Sequence, residues 1–341
     1  MATSEPTLPD SSKDTIAHPS IQPIQSPSNS PKQLFAVYLK GMAMGSADIV
    51  PGVSGGTIAL ITGIYERLIN ALSQIGIGLI PLLRQHWQQH GLASGIKAVW
   101  QQVDATFLLC LIAGIATSFI SLAGAIKYLL DNQPLLIWSF FFGLVIATVF
   151  ILLTEVKRWT VARVSLFVIG AVLAVFISQA PILNTGATPS LPYLFFAGAI
   201  AICAMILPGI SGSFILLLLG AYDAVLQAVH DWNFSVIFSV ASGMVAGLLV
   251  FTRLLKWLLQ RYYQGTLALL TGFIAGSLVK IWPWRTESLG NLAPWQYFNI
   301  MATQPENGQI IHWSVSLILI IIGAVAVTVL SWWGQKTKAH K

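Results

Sequence analysis

The stretch "PGVSGGT" occupies residues 51 to 57, and "PGISGSF" occupies residues 208 to 214. Both lie in long apolar surroundings, where breaking a helix is costly because hydrocarbon offers no partner to a freed backbone group. Proline removes an N–H and glycine loosens the backbone, so each stretch interrupts a helix. Irregular backbone at membrane depth is tolerated only where it is buried in protein or lines a wet cavity. A single Pro-Gly could simply kink a span or let two helices approach closely. The same break written twice points to a site.

The surroundings are unmistakably those of a membrane protein. Of 341 residues, 55% are hydrophobic and 9% charged, against about 25% charged in a soluble domain. Runs at 105–126, 134–153, 163–180, 234–252 and 311–333 reach or approach the roughly 20 apolar residues that cross a bilayer. The fold class is all-α and polytopic. Residues 1–32 are rich in Ser and Pro and read as a disordered cytoplasmic tail. The net charge of +6 comes without a basic run longer than two residues, so no nucleic-acid partner is expected. Lys and Arg report topology instead. Cys110 and Cys203 lie in apolar segments and suggest no disulfide framework. His86 and His90 have ligand-like spacing, but no third ligand is near, so no metal and no cofactor are expected.

Sliding the chain by 157 residues lays Pro51, Gly52, Ser54 and Gly55 on Pro208, Gly209, Ser211 and Gly212. Gly63 falls on Gly220, Tyr65 on Tyr222 and Glu66 on Asp223, and nine of 21 positions over 51–71 are identical. A second block repeats at an offset of 129, with Gly114 on Gly243, Lys127 on Lys256 and Gly143 on Gly272. The change of offset marks a 28-residue insertion between 72 and 110 in the first half. Its Trp87, Trp100, Arg84 and Lys97 read as an interfacial element at about 73–104. The expected units are a first repeat over 33–183 and a second over 190–335.

Charge orients the halves. Lys157, Arg158 and Arg163 make 155–163 cytoplasmic, whereas 181–191 has no charge and should lie outside. Arg253, Lys256 and Arg261 mark another cytoplasmic end, as do Lys336, Lys338 and Lys341. The copies then run in opposite directions, with both termini cytoplasmic. Each half is a broken, re-entrant hairpin plus three spans. Inverted repeats with broken helices at corresponding places are the mark of secondary transporters.

The motif chemistry suits an oxyanion. The N–H groups that open a helix have no partner within it and carry partial positive charge. Gly55, Gly56 and Gly212 would allow close backbone approach, while Ser54, Thr57, Ser211 and Ser213 add hydroxyls. Arg67 could add a fork matched to phosphate, or it could be a topology charge near a span end. Asp48, Glu66 and Asp223 are the carboxylates of the motif blocks, and an intramembrane carboxylate is a functional candidate by default. Asp48 could carry a coupled proton or sodium ion. Glu66 and Asp223 could equally be capping or pairing residues.

These residues carry a resemblance. "GMAMGSADIVPGVSGGTIALITGIYERLI" (41–69), "AICAMILPGISGSFILLLLGAYDAVL" (201–226) and "GFIAGSLVKIWPW" (272–284) resemble the PopT-type polyprenyl-phosphate translocases, first catalogued as a domain of unknown function. The resemblance implies a multi-pass protein of the prokaryotic cytoplasmic (inner) membrane with re-entrant helices. It implies return of undecaprenyl phosphate from the outer to the cytoplasmic leaflet for cell-envelope glycan synthesis, peptidoglycan included. Asp48, Pro51, Gly52, Ser54, Gly55 and Gly56 carry over as candidate site residues, as do Pro208, Gly209, Ser211, Gly212 and Ser213. The implied partners are the bilayer, the lipid substrate and a coupling ion, with no oligomeric state specified. Two other classes stay open. Membrane polyprenyl-diphosphate phosphatases share a Pro-Gly-Ser turn but add an arginine and clustered glutamates, which GVSGGT and GISGSF lack. A small-anion transporter or channel would use similar helix ends.

Overall fold

The computed structural model describes residues 30–50, 53–76, 78–183, 189–286, 289–303 and 313–339. Most of the expected tail, residues 1–29, and both Pro51 and Gly52 lie outside the described residues.

The first half opens with α1 (Pro31–Ile49), started by Pro31 and by Ser30, whose hydroxyl accepts from the Gln33 N–H. After the break come α2 (Gly55–Ile61) and α3 (Tyr65–Gln74). The insertion forms two helices packed on each other, α4 (Leu79–His90) and α5 (Leu92–Gln102), with Ile80, Trp87, Ile96 and Trp100 exposed. Then follow α6 (Ala105–Asn132), α7 (Pro134–Glu155) and α8 (Val161–Gln179). The second half has α9 (Leu191–Ile206), α10 (Gly212–Leu218), α11 (Tyr222–His230), α12 (Phe234–Arg261) and α13 (Tyr263–Ser277). A two-stranded hairpin, β1 (Arg285–Thr286) with β2 (Gly290–Asn291), precedes α14 (Pro294–Thr303) and α15 (Trp313–Ala339).

Among the described residues five helices, α6, α7, α8, α12 and α15, are long and apolar enough to cross a membrane. A sixth span arises if α10 and α11, bent by 108° against each other, count as one. Gly220, at φ +62°, makes that bend, and Gly63, at φ +71°, makes its counterpart between α2 and α3. Glycine takes that conformation at no steric cost, having no Cβ. The chain is thus an all-α polytopic membrane protein. The helix α13 has 15 residues, fewer than the roughly 20 needed to span hydrocarbon unaided. It is buried along most of its length against α8 and α7, so protein rather than lipid surrounds its backbone.

Helix bounds recur at the offsets of the sequence. Residues 55–61 and 212–218 are both helical at an offset of 157, and 105–132 and 234–261 at an offset of 129. Packing recurs as well. The helix α1 lies along α6 as α9 lies along α12. A Cβ on Gly114 would strike the Tyr38 carbonyl, and one on the matching Gly243 would strike the Phe195 carbonyl. The last spans are exchanged, α8 packing on α13 and α15 on α7. There Gly272 abuts the Phe167 backbone and Gly143 the Ile320 backbone. Small residues let apolar helices pack tightly where lipid competes equally for their side chains.

Candidate functional site

The helix α1 ends at Ile49, Val50 turns extended, and α2 starts again at Gly55. A restarting helix exposes N–H groups with no partner of their own. Here the chain supplies them. The Asp48 carboxylate accepts from the Gly55 N–H at 2.6 Å, and the Ser54 hydroxyl accepts from the Gly56 N–H at 3.2 Å. Ser54 and Thr57 are buried, at 2% and 1% exposure. A Cβ on Gly55 would collide with the Asp48 carboxylate. That glycine therefore has a packing reason that involves no ligand.

The second break differs. The helix α9 ends at Ile206, Pro208 is buried, and Gly209 sits at φ +90° with no room for a Cβ against Phe273 and Ile274. Ser211 precedes α10 but makes no side-chain cap; its hydroxyl pairs with that of Ser213 at 2.9 Å. Position 205, matching Asp48, is Met205. The first restart is closed by a carboxylate and the second is not. Gly212, like Gly55, has its Cβ space filled, here by the Ala201 carbonyl and Met205.

The two breaks meet. Thr57 Oγ1 accepts from the Gly209 N–H at 3.0 Å, and the Ser54 hydroxyl donates to the Leu207 carbonyl at 3.4 Å. Gly56 faces the Ile206 carbonyl. Thus Ser54, Gly55, Gly56 and Thr57 gather with Pro208 and Gly209 in the core of the bundle. Ser211 and Ser213 lie towards its surface.

The remaining candidates sit elsewhere. The Arg67 guanidinium holds Asp104 in a two-point pair, Nε to Oδ2 at 2.6 Å and Nη2 to Oδ1 at 3.0 Å, and stacks over Phe107. Glu66 lines a cleft of about 50 Å³ with Asn70, Lys256 and Gln260. Asp223 is exposed in the first turn of α11, as Glu66 is placed in the first turn of α3. A carboxylate there complements the positive helix end. Among the described residues, no cluster of three His, Cys, Asp or Glu side chains could hold a metal.

With the site in view, comparison decides the family. The model of the VCA0040-like, undecaprenyl phosphate translocase-like family matches residues 44–293, which include both breaks. The chain belongs to this family. It is 41% identical over 316 residues to a polyprenyl-phosphate transporter of Vibrio cholerae, covering 89% of this chain and 97% of that one. It is 31% identical over 306 residues to a polyprenyl-phosphate transporter of Staphylococcus aureus, covering 84% and 92%. No solved structure matches.

Within this translocase-like chain, two residues near the breaks escaped the sequence reading. Tyr65, 2% exposed, reaches across to donate its hydroxyl to the Ile206 carbonyl at 3.1 Å. Its recurrence as Tyr222 was visible, but the cross-repeat contact was not. Lys40 donates Nζ to the Thr62 carbonyl at 2.8 Å, closing the far end of α2. A lysine eight residues before Asp48 in an apolar helix was its signal, and intramembrane cations invite such attention.

Proposed function

We propose that this chain moves a polyprenyl phosphate across the membrane, with undecaprenyl phosphate returning from the outer to the cytoplasmic leaflet. The observation that carries the reading is the junction of the two broken helices through Thr57 and Gly209, in a chain whose full-length relatives are named polyprenyl-phosphate transporters. The physical task is narrow. A phosphate monoester carries between about one and two negative charges near pH 7, and bare charge in hydrocarbon is prohibitive. The prenyl tail needs no passage, because it can stay in lipid throughout. Only the headgroup must be shielded while a lateral opening faces one leaflet and then the other.

Paired broken helices serve that task when the halves cross in opposite directions. The Lys and Arg distribution supports opposite crossing with both termini cytoplasmic. The exchanged pairing of α8 with α13 and α15 with α7 would let one half rock against the other around the junction. Asp48 supplies a coupling element. As an anion it occupies the Gly55 N–H and repels a phosphate; at about 4 Å and an effective dielectric of about 20 the repulsion is about 4 kcal/mol. Taking up a proton or sodium ion would remove that obstacle. The reading breaks no bond, so the chain acts as a transporter and not as a hydrolase. In a bacterial or archaeal inner membrane it would feed carrier lipid back to peptidoglycan and other envelope glycan synthesis.

The test is a leaflet-resolved assay in sealed proteoliposomes. Polyprenyl phosphate placed in one leaflet should become accessible in the other at a rate proportional to the amount of folded protein. Passage of small anions with no movement of the lipid would replace this reading with that of an anion pathway.

A further inference from the structure

Beside the second break lies an open cleft with a cation in it. Ile177 and Ser178 of α8, Gly209, Phe214 of α10, Ser277 at the end of α13 and Lys280 line it. The Lys280 ammonium stands 4.1 Å from the Phe214 ring centre, the distance of a cation–π contact. The neighbouring donors are spent. The Ser178 hydroxyl donates to the Val175 carbonyl, the Ser277 hydroxyl to the Ile274 carbonyl, and the Gly209 N–H to Thr57. No carboxylate pairs with Lys280 among the described residues. A second cation, Arg285, is near and donates to the Lys280 carbonyl at 3.3 Å. Among the described residues this partly buried ammonium has no carboxylate partner, and with one face on an aromatic ring it is suited to receive an anion.

The repeat makes this cation one-sided. At the offset of 129, Lys280 corresponds to Ile151, and at the offset of 157, Phe214 corresponds to Thr57. The first half therefore uses its Phe214 position to lock the breaks together, while the second half uses it to cover a lysine.

We propose that Lys280 is the docking residue for the phosphate monoester headgroup as it enters beside the second break, with Phe214 as a cover that yields when the anion arrives. The proposal rests on the polyprenyl-phosphate reading above. The cleft encloses about 20 Å³ as it stands, room for little more than a water, so the ring must move for a phosphate to sit there. By the charge rule the cleft faces the outer leaflet, the side from which the carrier would be collected.

The experiment uses the full chain in phosphatidylcholine nanodiscs. Farnesyl phosphate, farnesol and inorganic phosphate are titrated separately, read by the fluorescence of the nearby Trp282 and Trp284. Lys280→Gln should weaken farnesyl phosphate by about tenfold or more, the loss of a charge-assisted contact. Lys280→Arg should stay within about threefold of wild type. Phe214→Leu should bind about threefold more tightly, since the ring no longer competes for the ammonium. Farnesol should not displace farnesyl phosphate. Unchanged affinity in a Lys280→Gln protein, with wild-type transport intact, overturns the site and leaves the transport reading standing. Inorganic phosphate binding as tightly as farnesyl phosphate overturns the lipid-headgroup assignment in favour of the free anion. A wild-type protein that neither binds nor moves polyprenyl phosphate overturns the transport reading and this site together.

Discussion

Thr57 and Gly209, 152 residues apart, are joined by a 3.0 Å hydrogen bond from the glycine N–H to the threonine hydroxyl. The bond ties the restart of one broken helix to the turn of the other. A rocking motion of one half against the other must pass through this point or break it.

Thr57→Val keeps the shape but removes the acceptor, leaving the Gly209 N–H unmatched. The expected cost is on the order of 1 kcal/mol, seen as a lower melting midpoint in detergent. Thr57→Ser should stay near wild type in both melting and transport. Equal melting of the Val, Ser and parent proteins would show that the bond contributes nothing to the junction.

Arg67 tests a different idea. Its fork is matched to phosphate, but here it grips Asp104. Arg67→Gln strands a partly buried Asp104, a destabilising change. The double variant Arg67→Gln with Asp104→Asn should regain most of the lost stability and transport the lipid with wild-type apparent affinity. If the double variant folds but its apparent affinity for lipid falls tenfold, Arg67 touches the headgroup during the cycle.

The spans were legible because hydropathy over 18 or more residues leaves few alternatives in a bilayer. The offsets were legible because the matching glycines stand where backbones touch; Gly114 and Gly243 each admit a neighbour's carbonyl. The partner of Arg67 was not legible. Asp104 lies 37 residues away, past the inserted helices, in a left-handed turn at φ 47° that only the folded insertion brings back. Nor was the Asp48 contact with Gly55 legible. Local caps reach two or three residues, whereas this one spans seven across a break. The role of Phe214 over Lys280 was hidden for the same reason, since nothing in the chain near α10 announces a cation beyond the end of α13.

The crossing directions are checked with single cysteines at Thr160 and Ser190, both exposed at helix starts. A membrane-impermeant thiol reagent should label Thr160→Cys only after the cytoplasmic side is opened, and Ser190→Cys in intact cells. Labelling of both from one side removes the opposed crossing, and alternating access through a matched pair of breaks with it.

Asp48→Asn separates coupling from capping. The amide oxygen can still accept from the Gly55 N–H, but the group cannot titrate. The folded variant should bind lipid and lose the dependence of transport on outside pH or on sodium. An unchanged pH and sodium profile would make Asp48 a cap alone and move the coupling role to Glu66 or Asp223.

Gly55 decides what the motif glycines are for. Two reasons for the missing side chain compete: a phosphate that must come close to the backbone, or the Asp48 carboxylate that already does. The structure fills the Cβ position of Gly55 with that carboxylate. Gly55→Ala should therefore displace Asp48 and lower both stability and transport. Pairing it with Asp48→Ser shortens the intruding side chain while leaving an oxygen able to accept a hydrogen bond. If internal packing is the reason, the pair should recover most of the folded yield and melting midpoint lost by Gly55→Ala, and it should bind farnesyl phosphate within about threefold of Asp48→Ser alone. If ligand approach is the reason, the added methyl group should still stand in the way of the phosphate. The pair would then fold like Asp48→Ser and bind lipid tenfold or more weakly, a gap of about 1.4 kcal/mol. Stability and affinity are read on the same samples, so the two explanations diverge in one measurement series.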